Sequence, residues 1–290
     1  GESTGGRPPY LHAANADARF VIGVEFDIPR VRIDLFSLAY EHLNGKEYYL
    51  DLSSTRNPDQ IIREIGEETR GLLVANGVSR DRVLGIGMAV TGFMSKRERV
   101  SYFTPRIRGW KNVAIGLALE DYLGIPVQIE SQSSALALAE MEFGTTKDVD
   151  TFCYINFGHG VGAGLVLNGD IYDGPYGNAG LIGHITMDEN GPRCICGNQG
   201  CLEVYASERV LQERLINQGT DLTMETILEA ARTGNEPYRA IVEEAMHYLG
   251  MAIANLVNIF EYQLIVLPKT FEAGGQWILD IITQEPCSRL

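Results

Sequence analysis

The sequence lacks any apolar run approaching the roughly 18–20 residues that a membrane-spanning helix needs. Its longest candidate, Met251 to Phe260, is too short and is interrupted by Asn255 and Asn258. There is no initiator methionine, and the opening stretch, Gly1-Glu-Ser-Thr-Gly-Gly-Arg-Pro-Pro9, lacks the apolar core of a secretory signal. A cytoplasmic location is therefore the default expectation. Basic residues are in deficit: 24 Lys and Arg against 38 Asp and Glu give a formal charge of −14. Such a chain repels nucleic-acid phosphates, so any work on DNA requires a basic module outside these 290 residues. Cysteines are few and odd in number: Cys153, Cys194, Cys196, Cys201 and Cys287. Three of them fall within eight residues, which argues against a disulfide frame and for metal ligation in a reducing compartment.

What is present is ample core material, with 45% hydrophobic residues. The length suggests about two domains at roughly 150 residues each. The first nine residues read as a flexible join, with the expectation that something precedes them. Phe20 to Leu38 reads as two apolar strands around a turn near Asp27-Ile28-Pro29, and Tyr48 to Leu52 as a third strand. Asp59 to Asn76 has helical spacing of Ile61, Ile62, Ile65, Leu72 and Leu73. Val83 to Val90 and Val127 to Glu130 read as short strands, and Ala114 to Leu123 and Ser134 to Phe143 as helices. A second strand–turn–strand follows at Thr151 to Leu167, before the hairpin signal Asn168-Gly169-Asp170. The two hairpins begin about 130 residues apart, which suggests two related halves. Beyond Cys201 the chain turns helical, over Ser207 to Asn217, Thr223 to Thr233 and Pro237 to Phe260. A strand at Gln263 to Leu267 and a helix at Gly274 to Thr283 complete the pattern. Together these point to an α/β fold with a cleft between lobes.

The strongest chemistry lies in His184 and in Cys194-Ile-Cys196-Gly-Asn-Gln-Gly-Cys201. Zinc prefers thiolate sulfur and imidazole nitrogen in a tetrahedron, and one His with three Cys fills that shell. Gly197 and Gly200 free the backbone to fold the cysteine arms around one point. A site closed in this way is structural, whereas catalytic zinc keeps an open position. Asp188 and Glu189 lie between these residues but are not needed as ligands.

The stretch Gly183 to Glu203, GHITMDENGPRCICGNQGCLE, resembles the signature of the ROK family of bacterial repressors, open reading frames and sugar kinases. The resemblance covers nearly the whole chain. VIGVEFDIPRVRIDLFSL is similar to the family's opening hairpin, and VQIESQSSALALAEMEFG to the stretch bearing the kinases' catalytic Asp. INFGHGVGAGLVLNGDIYDG is similar to the second phosphate hairpin, and MAIANLVNIFEYQLIVL to the late helix and strand. The resemblance implies a two-lobed, actin-like (ribonuclease-H-like) α/β duplication with a zinc knuckle. It also implies the organisation of the chain: residues 1–19 as a linker remnant after an absent helix-turn-helix domain, 20–130 as a first lobe, and 131–290 as a second. The ending Glu285-Pro-Cys-Ser-Arg-Leu290 is unlike the family's, so the second lobe is expected to be incomplete.

Where the family's kinases carry Asn and Asp, this chain has Ser131 and Gln132, and Gln has no basic oxygen to accept a hydroxyl proton. Glu130 is expected to face away from its neighbour in a strand and so not to substitute. The first phosphate hairpin reads Glu25-Phe26-Asp27-Ile28-Pro29, without its glycines. The second reads Gly158-His159-Gly160, without its hydroxyl. The late Gly-Gly is Pro268-Lys269. The family's Glu before Ile-Gly-His is Leu181. His184 and Glu203 remain, the former both touching sugar and ligating zinc in the family, the latter accepting sugar hydroxyls. The expectation is an effector-sensing, dimerising part of a transcriptional repressor and not an enzyme, binding a less hydroxylated, modified or phosphorylated sugar, or no sugar at all, through Ser131, Gln132, His184 and Glu203 without phosphorylating it. It would contact DNA only through the absent domain, and no membrane. The alternatives are an ATP-dependent sugar kinase and a sensor of another protein.

Overall fold

The computed structural model describes residues 18–52, 57–104, 107, 109–218 and 222–289. Most of the expected linker, residues 1–17, lies outside the described residues, as do the side chains of 285–290. In chain order the elements are β1 (Phe20–Asp27), β2 (Arg30–Ser37), β3 (His42–Tyr49), α1 (Pro58–Ala75), β4 (Val83–Val90), β5 (Phe93–Ser95), β6 (Val100–Phe103), β7 (Lys111–Val113), α2 (Ile115–Leu123) and β8 (Val127–Ser131). They continue with α3 (Gln132–Phe143), β9 (Phe152–Phe157), β10 (Val161–Leu167), β11 (Asp170–Ile171), α4 (Glu208–Leu215), α5 (Met224–Arg232), α6 (Tyr238–Phe260), β12 (Leu264–Val266) and α7 (Gly275–Arg289). The chain divides into two compact units: the described residues of Gly1–Val90, Arg99–Ser101 and Arg106–Ile129, and those of Thr91–Glu98, Tyr102–Pro105 and Glu130–Leu290.

The first unit is built on a five-stranded sheet in the order β3-β2-β1-β4-β8. Alternation fixes its faces: Phe20, Ile22, Val24 and Phe26 of β1, with Val31, Ile33 and Leu35 of β2, are buried. Helix α1 starts where Asn57 and Gln60 form a reciprocal capping box with Pro58 next in line, and it buries Ile61, Ile62, Ile65, Leu72 and Leu73. The expected third strand at Tyr48 to Leu52 is corrected. It is β3, six residues earlier, and it pairs with β2 from Tyr49 back to His42. As an edge strand exposed on nearly every residue, it carries no alternation by which the sequence could have located it.

The second unit repeats the local plan. β9 and β10 form an antiparallel hairpin and β12 runs parallel to β9, in the order β11-β10-β9-β12. β1 and β2 are likewise antiparallel, with β4 parallel to β1. The core of the second unit brings Cys153, Ile155 and Phe157 of β9 against Leu202, Leu211 and Leu215, and against Ala245, Leu249 and Ile253 of α6. A small sheet in the order β5-β6-β7, made of strands of three or four residues, was not anticipated. No described helix is long and apolar enough to cross a membrane.

Candidate metal centre and ligand site

The four residues singled out for metal ligation converge. One ligand atom from each of His184, Cys194, Cys196 and Cys201 lies within 4.8 Å of all the others. Two edges of this group are 3.6 Å (Cys194 Sγ to His184 Nδ1) and 3.7 Å (Cys196 Sγ to Cys201 Sγ). A tetrahedral ion with ordinary metal–thiolate and metal–imidazole bonds would give edges of about 3.6 and 3.8 Å, so these two edges suit a metal and the chemistry of the donor set fits one. The local chain is folded to that end. The Cys194 amide donates to the Asn198 carbonyl (2.8 Å), and the Gly197 amide to the Cys194 carbonyl (3.0 Å). Thr186 pairs with Cys201, and Arg193 with Gln199. Gly200 holds φ +60°, and a Cβ there would run into the Asp188 carbonyl. Burial pushes the Cys201 thiol up to about 12, and burial likewise raises Cys194. Burial opposes ionisation of Cys196 too, but the Asn198 amide and hydrogen bonds from the other two thiols outweigh it and lower that thiol.

The His184 Nδ1 edge faces the thiols, and its ring is covered by Phe93. The two rings lie 5.4 Å apart and only 11° from parallel. Phe93 is carried on β5, which is tied down on both sides. The Met94 amide donates to Asn178 Oδ1 (3.0 Å), and Lys96 Nζ donates to Asp173 Oδ2 (3.0 Å) and to Glu130.

Close approach around β10 gathers the remaining candidates. A Cβ on Gly162 or Gly164 would collide with Ser133, and one on Gly160 with the Glu203 carboxylate. The start of α3 thus lies against β10 and Glu203 against Gly160 just before it, with the loop leading to His184 beside the strand (Ala163 amide to Gly180 carbonyl, 2.8 Å). Gln132 opens α3, and its Oε1 accepts from Asn156 Nδ2 of β9 (3.3 Å). Ser131 caps α3 through Ser134 N (3.0 Å) and bonds Ser134 Oγ (2.8 Å). Ser134 reaches Asp173 Oδ1 (3.4 Å), and the Ser131 amide donates to Glu130 Oε1 (3.0 Å). A closed ring therefore joins Ser131, Ser134, Asp173, Lys96 and Glu130. Burial acts against the Lys96 charge, but the two carboxylates prevail and raise its pKa. The carboxylate of Glu130 is engaged by Lys96 and by the Ser131 amide. Phe93, Lys96, Asn156 and Asp173 were not found by sequence reasoning. Lys96 meets partners 34 and 77 residues away, and no spacing rule reports such a meeting.

Both hairpins are occupied by their own chain. In the first, Arg30 Nη2 meets Glu25 Oε1 at 2.6 Å, and the Pro29 carbonyl accepts from the Leu50 amide (2.8 Å). In the second, the Gly158 amide donates to the Gly160 carbonyl (3.0 Å), and the Gly158 carbonyl accepts from the Glu208 amide (2.8 Å).

The ROK family model matches residues 22–275. The chain belongs to the ROK family. Over its whole length it is 28% identical to the xylose repressor of Bacillus subtilis (strain 168), of which the match spans 74%. It is 29% identical to the DNA-binding transcriptional dual regulator NagC of Escherichia coli (strain K12), over 97% of this chain and 70% of that protein. Among solved structures, a ROK family transcriptional regulator that is a homologue of the E. coli MLC protein superposes with a TM-score of 0.83 at 26% identity, covering 94% of this chain and 71% of the other. A ROK family glucokinase from Streptomyces griseus, solved with glucose and AMPPNP, gives a TM-score of 0.76 at 24% identity, covering 92% of this chain and 88% of that one, and shows the shared fold. The family and α/β fold expected from the sequence are thereby borne out, and the ROK chain resembles regulators of that family over its full length.

Proposed function

We infer that this ROK chain is the effector-sensing part of a transcriptional regulator, a repressor like its named relatives, that binds a sugar or sugar derivative without phosphorylating it. The observation that carries the reading is Gln132 at the head of α3, in the position where the family's kinases keep their base. An amide cannot take the proton of an attacking hydroxyl. Three further points support it. Glu130 is ion-paired with Lys96. Arg30 and Glu25 fill the first hairpin with each other. The Gly158 amide of the second is already spent within the hairpin.

The effector is held by Gln132, His184 and Glu203 about β10, with the Ser131 hydroxyl beside them. His184, Cys194, Cys196 and Cys201 hold a structural zinc ion. With Nδ1 on the metal, the imidazole proton resides on Nε2, which makes that edge a fixed hydrogen-bond donor. Leu181, in place of an acidic side chain, leaves Glu203 as the carboxylate acceptor, which suits an effector with fewer free hydroxyls. Sensing requires two arrangements of the protein that bind the effector unequally. Two such chains, paired through the second unit, would set the spacing of their DNA-reading heads.

The test is an ADP-coupled assay with ATP, magnesium and a hexose panel, alongside calorimetry with the same sugars. The expected outcome is binding heat without ADP. Sugar-dependent ADP release would establish a kinase. No heat with any sugar would favour a sensor of another protein.

A further inference from the structure

We propose that Phe93 is a specificity-determining residue of the effector site. It would form an apolar wall that selects a neutral sugar bearing a deoxy or acylated position in place of one free hydroxyl. This rests on the sugar-sensing reading above and narrows its ligand class. The argument is geometric. Nδ1 of His184 is turned to the thiols, 3.6 Å from Cys194 Sγ, so the Nε2 edge is the part of this imidazole left for a ligand. Phe93 lies nearly parallel to that ring, 5.4 Å away centre to centre. A ligand atom bonded to Nε2 therefore brings its neighbouring ring positions alongside the phenyl group.

Phe93 remains partly exposed although it is aromatic, and its strand is fastened by Met94 to Asn178 and by Lys96 to Asp173 and Glu130. The wall is thus fixed before the ligand arrives, as suits a site in which a few polar groups orient a ligand against carbon. A free hydroxyl laid on the phenyl ring would lose its water and find no partner, whereas a hydrogen, a methyl or the methyl end of an acyl group would not. Neutrality follows from the charges present: Glu203 lies against Gly160 at the approach to β10, and Lys96 is shared by two carboxylates, so no spare cation among these residues greets an anion.

The experiment compares the whole chain with Phe93→Ala and Phe93→Leu, the latter keeping apolar bulk without a flat ring. Calorimetry would use glucose, xylose, N-acetylglucosamine, fucose and rhamnose, and metal content would be measured on every sample. The wild type is expected to bind at least one deoxy or acylated sugar roughly tenfold more tightly than the fully hydroxylated ones. Phe93→Ala should abolish that preference with metal content unchanged, and Phe93→Leu should retain part of it. Equal binding of hydroxylated sugars by the wild type, or an unaltered preference in Phe93→Ala, overturns the proposal while leaving sugar sensing intact. Loss of metal in both variants would make Phe93 a support for His184 and overturn the specificity role. Absence of any sugar binding by the wild type overturns sugar sensing and this inference together.

Discussion

Cys153 and Cys196 are chemically opposite although neither is in a disulfide. Cys153 is fully buried on β9, and burial pushes its thiol up to about 12. At pH 8 only about one such thiol in ten thousand is thiolate, so it should resist alkylation. Cys196 is exposed and its thiol is lowered. The expected result of peptide mapping after iodoacetamide treatment is an unlabelled Cys153 throughout. Cys194, Cys196 and Cys201 should become labelled only when a chelator is added, and early labelling of Cys153 would contradict its placement. Gly200 gives a second residue-scale prediction. With φ +60° and the Asp188 carbonyl where a Cβ would sit, Gly200→Ala should destabilise the protein by about 2 kcal/mol or more in denaturant titrations. A wild-type midpoint would mean that the loop is built differently. The four residues of the candidate metal site were legible because successive cysteines stand two and five residues apart, with His184 ten residues before the first. Phe93 was not, because its partner lies 91 residues further on and nothing in the sequence between them marks the meeting.

At the scale of elements, α3 matters most, since it delivers Gln132. The sequence suggested a start at Ser134, but the helix begins two residues earlier because Ser131 caps it. Ser131→Ala removes that cap and one member of the ring containing Lys96, at a cost of about 1 kcal/mol in stability. Effector affinity should fall with it, and Ser131→Asp, which can also cap, should restore the stability measured by thermal unfolding. The hairpins β1-β2 and β9-β10 were readable because each buries one face, so apolar residues alternate or cluster along them. β3 was misplaced and β5 to β7 were missed for the converse reason. An exposed edge, or a strand of three residues, imposes no pattern on its side chains.

Across the whole molecule, the recurrence of antiparallel hairpin plus parallel third strand in both units gives the halves guessed from two similar stretches a shared topology. The His/Cys cluster that could hold a metal, however, sits wholly in the second unit. Chelation should therefore raise hydrogen exchange across residues 183–203 and the adjoining end of β10 while leaving β1, β2 and β4 at native rates. Uniform loss of protection would show that the two units unfold as one. His184 then has a meaning for physiology. In the proposed function its imidazole offers Nδ1 to a metal ion among the thiols and Nε2 to the effector, so the two binding events would be coupled. On that reading, reciprocity requires that a bound effector tighten the equilibrium binding of the ion by the same factor by which the ion tightens that of the effector. A cell short of metal would on that reading hold a regulator less responsive to its signal, even with the inducer abundant.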